Sequence, residues 1–207
     1  MSTSYSQAGT SSPPTRRNWL GLVILGLALA IVIIDTTIVN VTIPSIQKEF
    51  GASIRDLEWI SASYALVYAA FIITWGRLAD SLGRRLVFVL GLVVFVLGSL
   101  LVGVAGNIPW ILVGRVVQGF GAAMTSPATL SILAATFTGK ARGIAFGVWG
   151  ATAGAAGALG PILGGWLTTN LDWRWAFLVN LPIGVIAIVG SFILLDPNDE
   201  NLFADAL

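Results

Sequence analysis

The sequence predicts an all-α, polytopic membrane protein that crosses the bilayer six times. Three observations carry that reading. Of 207 residues, 56% are apolar; only 11 are Lys or Arg and 10 are Asp or Glu, too few charges to clothe a globule in water. Apolar runs long enough for a bilayer-spanning helix of ~20 residues recur at regular intervals. Gly, Pro and charge clusters punctuate those runs into spans near 18–43, 57–76, 86–106, 109–135, 142–168 and 175–195.

Before the first span, residues 1–17 are rich in Ser, Thr and Pro and lack apolar periodicity, which predicts a disordered cytoplasmic tail. Arg16 and Arg17 then precede an apolar run, and Ala28-Leu29-Ala30 resembles a small-x-small cleavage site. The run continues past those alanines and five comparable segments follow, so an uncleaved first span is expected. On the second span Ser61, Tyr64, Tyr68, Phe71 and Trp75 share one face, either a lining for aromatic cargo or an ordinary packing surface. Gly106, Asn107 and Ile108 alone separate the third and fourth spans, which suits a tight antiparallel hairpin. The fifth span carries Gly147, Gly150, Gly154, Gly157, Gly160 and Gly164 along one stripe, with Pro161 beside it. Such a stripe admits a close helix neighbour, and the proline is expected to bend the helix; static packing and movement explain the pattern equally well. The sixth span leads into residues 196–207, expected to be a short acidic cytoplasmic tail.

Arg16, Arg17, Arg77, Arg84, Arg85, Lys140 and Arg142 fall on one side of this topology and Lys48, Arg55 and Arg174 on the other, which places both termini in the cytoplasm. A net charge of +1 with no basic face excludes nucleic acid as a partner. The absence of Cys and His excludes disulfides, thiol chemistry, Cys/His metal sites and histidine proton relays. With no nucleophile–base pair, paired carboxylates or metal cluster in any span, the expectation is a chain without enzymatic activity, metal or cofactor.

Two ionisable residues lie inside spans, Asp35 in the first and Arg115 in the fourth, each at a cost of roughly 2.5–3.5 kcal/mol at a helix centre. At about 1.5 Å per residue, both sit roughly 9–12 Å below the outer helix ends, so they share a depth and can pair. One reading is a structural ion pair or a snorkelling arginine. The other is a protonatable carboxylate whose affinity for a proton changes as the arginine approaches or withdraws. Asp35 is the only carboxylate deep enough for that work.

The segment Gly76-Arg77-Leu78-Ala79-Asp80-Ser81-Leu82-Gly83-Arg84-Arg85 resembles the loop signature of the major facilitator superfamily. Its glycines Gly76 and Gly83 are expected to permit a tight turn, and Asp80 with Arg84 and Arg85 to form a charge clasp able to gate. Asp35 to Pro44, Arg115-Val116-Val117-Gln118-Gly119, Gly160 to Gly165 and Asp172 to Pro182 further resemble the fourteen-helix drug:proton antiporters of that superfamily. Ser81 stands where the loop usually has arginine, and Ala156 where a glycine precedes Gly160.

The resemblance implies two inverted three-helix repeats, echoed faintly in the matching spacing of Gly76, Leu78, Leu82, Arg85 and Gly165, Leu167, Leu171, Arg174. It implies proton-coupled export of small hydrophobic or cationic compounds across the plasma membrane, with Asp35 and Arg115 as the coupling pair. The antiporter kink falls on Gly157, Gly160, Pro161, Gly164 and Gly165, and Asn40, Tyr64, Tyr68 and Gln118 are candidate cargo-lining residues. Because transporters of this branch continue through a second half, the expected partners besides lipid, protons and cargo are a separate second half or a second copy. The competing reading is a truncated, non-transporting chain that packs against partner helices.

Overall fold

The computed structural model describes residues 13–195, and the expected tails at 1–12 and 196–207 lie outside the described residues. Seven helices follow in order: α1 Arg16–Phe50, α2 Ile54–Leu82, α3 Arg84–Gly103, α4 Ile108–Thr136, α5 Gly139–Asn170, α6 Trp175–Leu178 and α7 Asn180–Leu194. Six stretches are long and apolar enough to cross a membrane, the last of them formed by α6 and α7 together. No strand occurs among the described residues.

Three helix starts, those of α1, α2 and α4, follow ordinary capping chemistry. Thr15 and Asn18, then Ser53 and Asp56, form reciprocal capping boxes at α1 and α2, and Asn107 caps α4 through the Trp110 N–H at 3.0 Å. The helices outrun the punctuation read from sequence. α1 continues through Pro44, which withdraws the ladder bond to the Asn40 carbonyl without ending the helix; it ends where Gly51 turns left-handed at φ 61°. α2 likewise absorbs Gly76, so the expected two-glycine loop contracts to Gly83, whose φ of 103° only glycine adopts readily. The sixth span is interrupted at Val179, since Pro182 cannot donate to the Leu178 carbonyl. α5 remains helical through Pro161.

Arginines close several helix ends. Arg142 donates to the Phe137 and Ala134 carbonyls at 2.7 Å, while Arg17 and Arg85 reach Ile193 O at 3.2 Å and Phe192 O at 3.1 Å. Each satisfies carbonyls that a helix terminus leaves without intrahelical donors and places positive charge at its negative end.

The closest approach joins α3 to α4, where Gly91 and Gly98 face Gly114 and Gly121; a Cβ at Gly98 would stand 2.6 Å from the Gln118 nitrogen. Missing side chains there let two backbones touch. α2 packs on α4, and α5 packs on α1, the correspondence expected of two three-helix units exchanged by a two-fold axis. Exposed Trp59, Trp110, Trp166 and Trp175 gather at the end opposite the termini, as amphipathic rings do at a headgroup boundary.

Two apolar clusters divide the core by depth. Leu22 to Val32 of α1 join Phe88, Phe95, Ala122 and Leu133 in one, and Ile34 to Ile46 join Ile60, Val102, Ile111 and Phe177 in the other. Between them runs a thin polar layer.

Candidate functional site

Each of five helices contributes to that layer, and the chain's two intramembrane charges meet in it. Arg115 of α4 donates from Nη1 to Asp35 Oδ2 of α1 at 2.5 Å and to its own neighbour Gln118 Oε1 at 2.9 Å. Its Nε reaches the Ile60 carbonyl of α2 at 3.1 Å. The guanidinium lies 4.3 Å from the Tyr64 ring centroid and 5.9 Å from that of Phe177, so π faces and a carbonyl replace water around the cation. Asp35 is fully buried and Arg115 is 1% exposed, values at which an unpaired charge would not be tolerated.

The other carboxylate oxygen, Asp35 Oδ1, accepts from Gln118 Nε2 at 2.8 Å and from Asn180 Nδ2 at 3.3 Å. Both amide nitrogens also meet Ser99 Oγ of α3, at 2.8 and 3.2 Å. Ser99 and Asn180 were not singled out by sequence reasoning. The signal existed: each is a polar residue inside an apolar span, and Asn180 opens α7 at the break that Pro182 causes.

Beside this layer a cavity of about 440 Å³ opens between α1 and α2, with Arg115 at its floor. Thr36, Asn40, Ser61, Tyr64 and Tyr68 line it together with Val32, Ile33, Val39 and Ala65. The Tyr64 and Tyr68 rings are parallel within 4° at 6.3 Å, and the Tyr64 hydroxyl is buried without a partner among the described residues. Of the expected lining residues, Asn40, Tyr64 and Tyr68 are in place. Gln118 is not: its hydrogen bonds to Asp35, Arg115 and Ser99 draw it behind the cavity wall, where it is fully buried.

At the helix ends that carry the chain termini, Asp80 accepts from Arg84 Nε and from Ser131 Oγ of α4, both at 3.2 Å. The expected clasp therefore holds one arginine. Arg85 turns to α7 instead, lying 5.3 Å from the Phe192 ring centroid while it donates to that residue's carbonyl. Gly76 is helical and stands in ordinary contact with Pro127, not in a turn. At the opposite end Arg174 donates to Glu49 at 2.7 and 3.1 Å, to Asp172 at 3.3 Å and to the Ala105 carbonyl at 3.2 Å. Hydrogen bonding to Glu49 holds its guanidinium above the ordinary value.

The α5 glycines do not form one continuous seam. A Cβ at Gly160 would overlap Thr37 Oγ1, and one at Gly164 would stand 2.6 Å from Ile38, whereas Gly147, Gly150, Gly154 and Gly165 face open space. Gly157 touches only Ile33, at 3.8 Å, and Pro161 is exposed. The tight glycine contacts with α1 thus fall on the turn that follows Asp35.

Comparison with known proteins gives the same architecture. The sequence signature described as Major Facilitator Superfamily matches residues 25–205. Puromycin resistance protein pur8 of Streptomyces alboniger is 40% identical over 189 residues, covering 91% of this chain and 37% of that protein. Methylenomycin A resistance protein of Bacillus subtilis (strain 168) is 37% identical, with 84% and 38% covered. Multidrug transporter protein MdtP of the same strain is 38% identical, with 81% and 31% covered. The chain therefore spans between 31% and 38% of the length of these curated relatives. Among solved structures, a bacterial homolog to the human lysosomal transporter Spinster, inward-facing and unoccupied, superposes with a TM-score of 0.71 at 23% identity, covering 88% of this chain and 43% of that one.

Proposed function

Because the chain belongs to the Major Facilitator Superfamily, we propose that it is the six-helix half of a proton-coupled exporter of small hydrophobic or cationic compounds. The observation that carries this reading is the fully buried Asp35–Arg115 pair, whose Arg115 lines the cavity between α1 and α2. A carboxylate so placed is paired when ionised; once protonated it no longer holds Arg115 by charge, and the cation is free to answer to another anion or to a conformational change. Cargo binding and proton binding then compete for one buried layer, which is the linkage antiport requires.

Several features support the class of cargo. The cavity wall combines stacked tyrosines with Thr36, Asn40 and Ser61, suited to a lipophilic molecule carrying a few polar groups. The relatives are named for resistance to antibiotics or for multidrug transport, which supports antibiotic-like compounds. The cavity is open on one side and needs a second helical half, from further chain, a separate chain or a second copy, to become a pathway. The excess of Arg and Lys at one helix end supports cytoplasmic termini, and the resemblance to drug exporters supports the plasma membrane.

The test is efflux in inverted vesicles containing the chain with its second half. Extrusion of a fluorescent cationic drug is expected to depend on an imposed proton gradient, and Asp35→Asn is expected to remove that dependence at unchanged membrane abundance. Gradient-driven efflux that persists undiminished in Asp35→Asn overturns the assignment of Asp35. Insertion without flux under every pairing favours a chain that only packs against partner helices.

A further inference from the structure

We propose that Asn180 is a positioning residue for protonation of Asp35, and that its side-chain amide reverses when the proton binds. This inference rests on the coupling role proposed for Asp35. It begins from an incomplete set of hydrogen bonds: Asn180 is fully buried, its Nδ2 serves Asp35 Oδ1 and Ser99 Oγ, and its Oδ1 has no partner among the described residues. A buried amide satisfied at one end and bare at the other can turn over at no loss in the number of bare ends.

The placement of the other groups decides where the proton goes. Asp35 Oδ2 is occupied by the Arg115 guanidinium, so the added proton sits on Oδ1. There two N–H donors converge, from Gln118 and Asn180, and neither accepts an O–H. One of the two amides must present its oxygen. Gln118 is fixed at both ends, its Oε1 holding Arg115 and its Nε2 holding Ser99. Asn180 alone is free to turn. Reversed, its carbonyl oxygen takes the place of the nitrogen within reach of both Asp35 Oδ1 and Ser99 Oγ, and its two lone pairs receive the carboxylic O–H and the Ser99 hydroxyl. That hydroxyl faces two amide nitrogens in the ionised arrangement, neither of which accepts its proton. One O–H bond forms at Asp35 as one breaks in a hydronium ion of the aqueous phase, which leaves as water, and no other covalent bond changes.

The titratable groups packed around Asp35 are Arg115 from α4 and, across the guanidinium, Tyr64 from α2. From α3 and α7 come only the neutral Ser99 and Asn180, from α6 the Phe177 ring, and from α5 the glycines beside the next turn. The amide is thus the neutral group that distinguishes the two protonation states.

Infrared difference spectra between alkaline and acidic pH test this on the full chain in lipid bilayers, with asparagine side chains carbon-13 labelled. The protonated Asp35 band is assigned by its loss in Asp35→Asn and the Asn180 band by its loss in Asn180→Ser. As Asp35 protonates, the Asn180 carbonyl band is expected to move to lower frequency, and the acid band in Asn180→Leu to lie higher than in the native chain. Should Asp35 titrate while the Asn180 carbonyl band stays still, the inference is overturned and the coupling role stands. If no Asp35-dependent acid band forms at any pH that leaves the helices intact, both are overturned.

Discussion

Arg115 combines three hydrogen bonds with a place over the Tyr64 ring, and that decides what replaces it. A lysine offers one compact charge where the guanidinium serves Asp35, Gln118 and the Ile60 carbonyl together and lies on the Tyr64 ring. Arg115→Lys is expected to insert yet lose drug efflux. Arg115→Leu leaves Asp35 buried without its cation and is expected to cost about 3–5 kcal/mol. Adding Asp35→Leu is expected to return much of that loss, since an apolar pair replaces a broken ionic one. Denaturant titration of the three variants in detergent checks this, and a double variant no more stable than Arg115→Leu alone counts against the pair as the source of the penalty. Asp35 and Arg115 were legible in the sequence because charge inside an apolar run has no cheap explanation. Ser99 and Asn180 were not, because serine and asparagine are common enough in membrane helices that only the meeting of α3 and α7 shows their purpose.

At the scale of single helices, glycine spacing proved a poor guide to contact. The α5 stripe was plain in the sequence, yet only Gly160 and Gly164 press tightly on α1, while the closest seam lies between α3 and α4 at glycines seven residues apart. Spacing shows which residues share a face; it does not show what that face meets. Gly160→Ala is expected to destabilise the bundle by about 1–3 kcal/mol, because its methyl meets Thr37, and Gly154→Ala to change stability by less than about 0.5 kcal/mol. The connection between α2 and α3 gives a similar contrast. Gly83→Ala must adopt φ 103° and is expected to cost about 1–2 kcal/mol, whereas Gly76→Ala, helical and in ordinary contact, is expected to be neutral or slightly stabilising. Thermal unfolding of the four variants in one lipid composition compares them directly; equal effects at Gly76 and Gly83 would restore the two-glycine turn.

The whole bundle is unevenly covered. α1, α3 and α4 bury most of their apolar windows, and α2 and α5 leave theirs largely open, as helices do when they await a further layer or lipid. The cysteine-free sequence offers a clean way to tell which. A cysteine placed at Gly154, which faces open space, is expected to react with a membrane-permeant thiol reagent in the isolated chain and to be protected when a second half is present. Unchanged reactivity would put lipid, not protein, against that face. The six-crossing architecture was legible as a whole because hydropathy and loop charge act over twenty residues at a time. The interruption at Val179 was not, because one proline well inside a span had to be weighed against apolar sequence on both sides.

The bond from Arg17 to the Ile193 carbonyl fixes the beginning of α1 beside the end of α7. Chain order and spatial order are therefore separable in this bundle. A circular permutant that starts at Gly139, joins residue 195 to residue 13 through a short linker and ends at Phe137 would place the fifth and sixth crossings ahead of the first four in synthesis. It would keep every intramembrane contact and leave both new ends on the side where the old ones were.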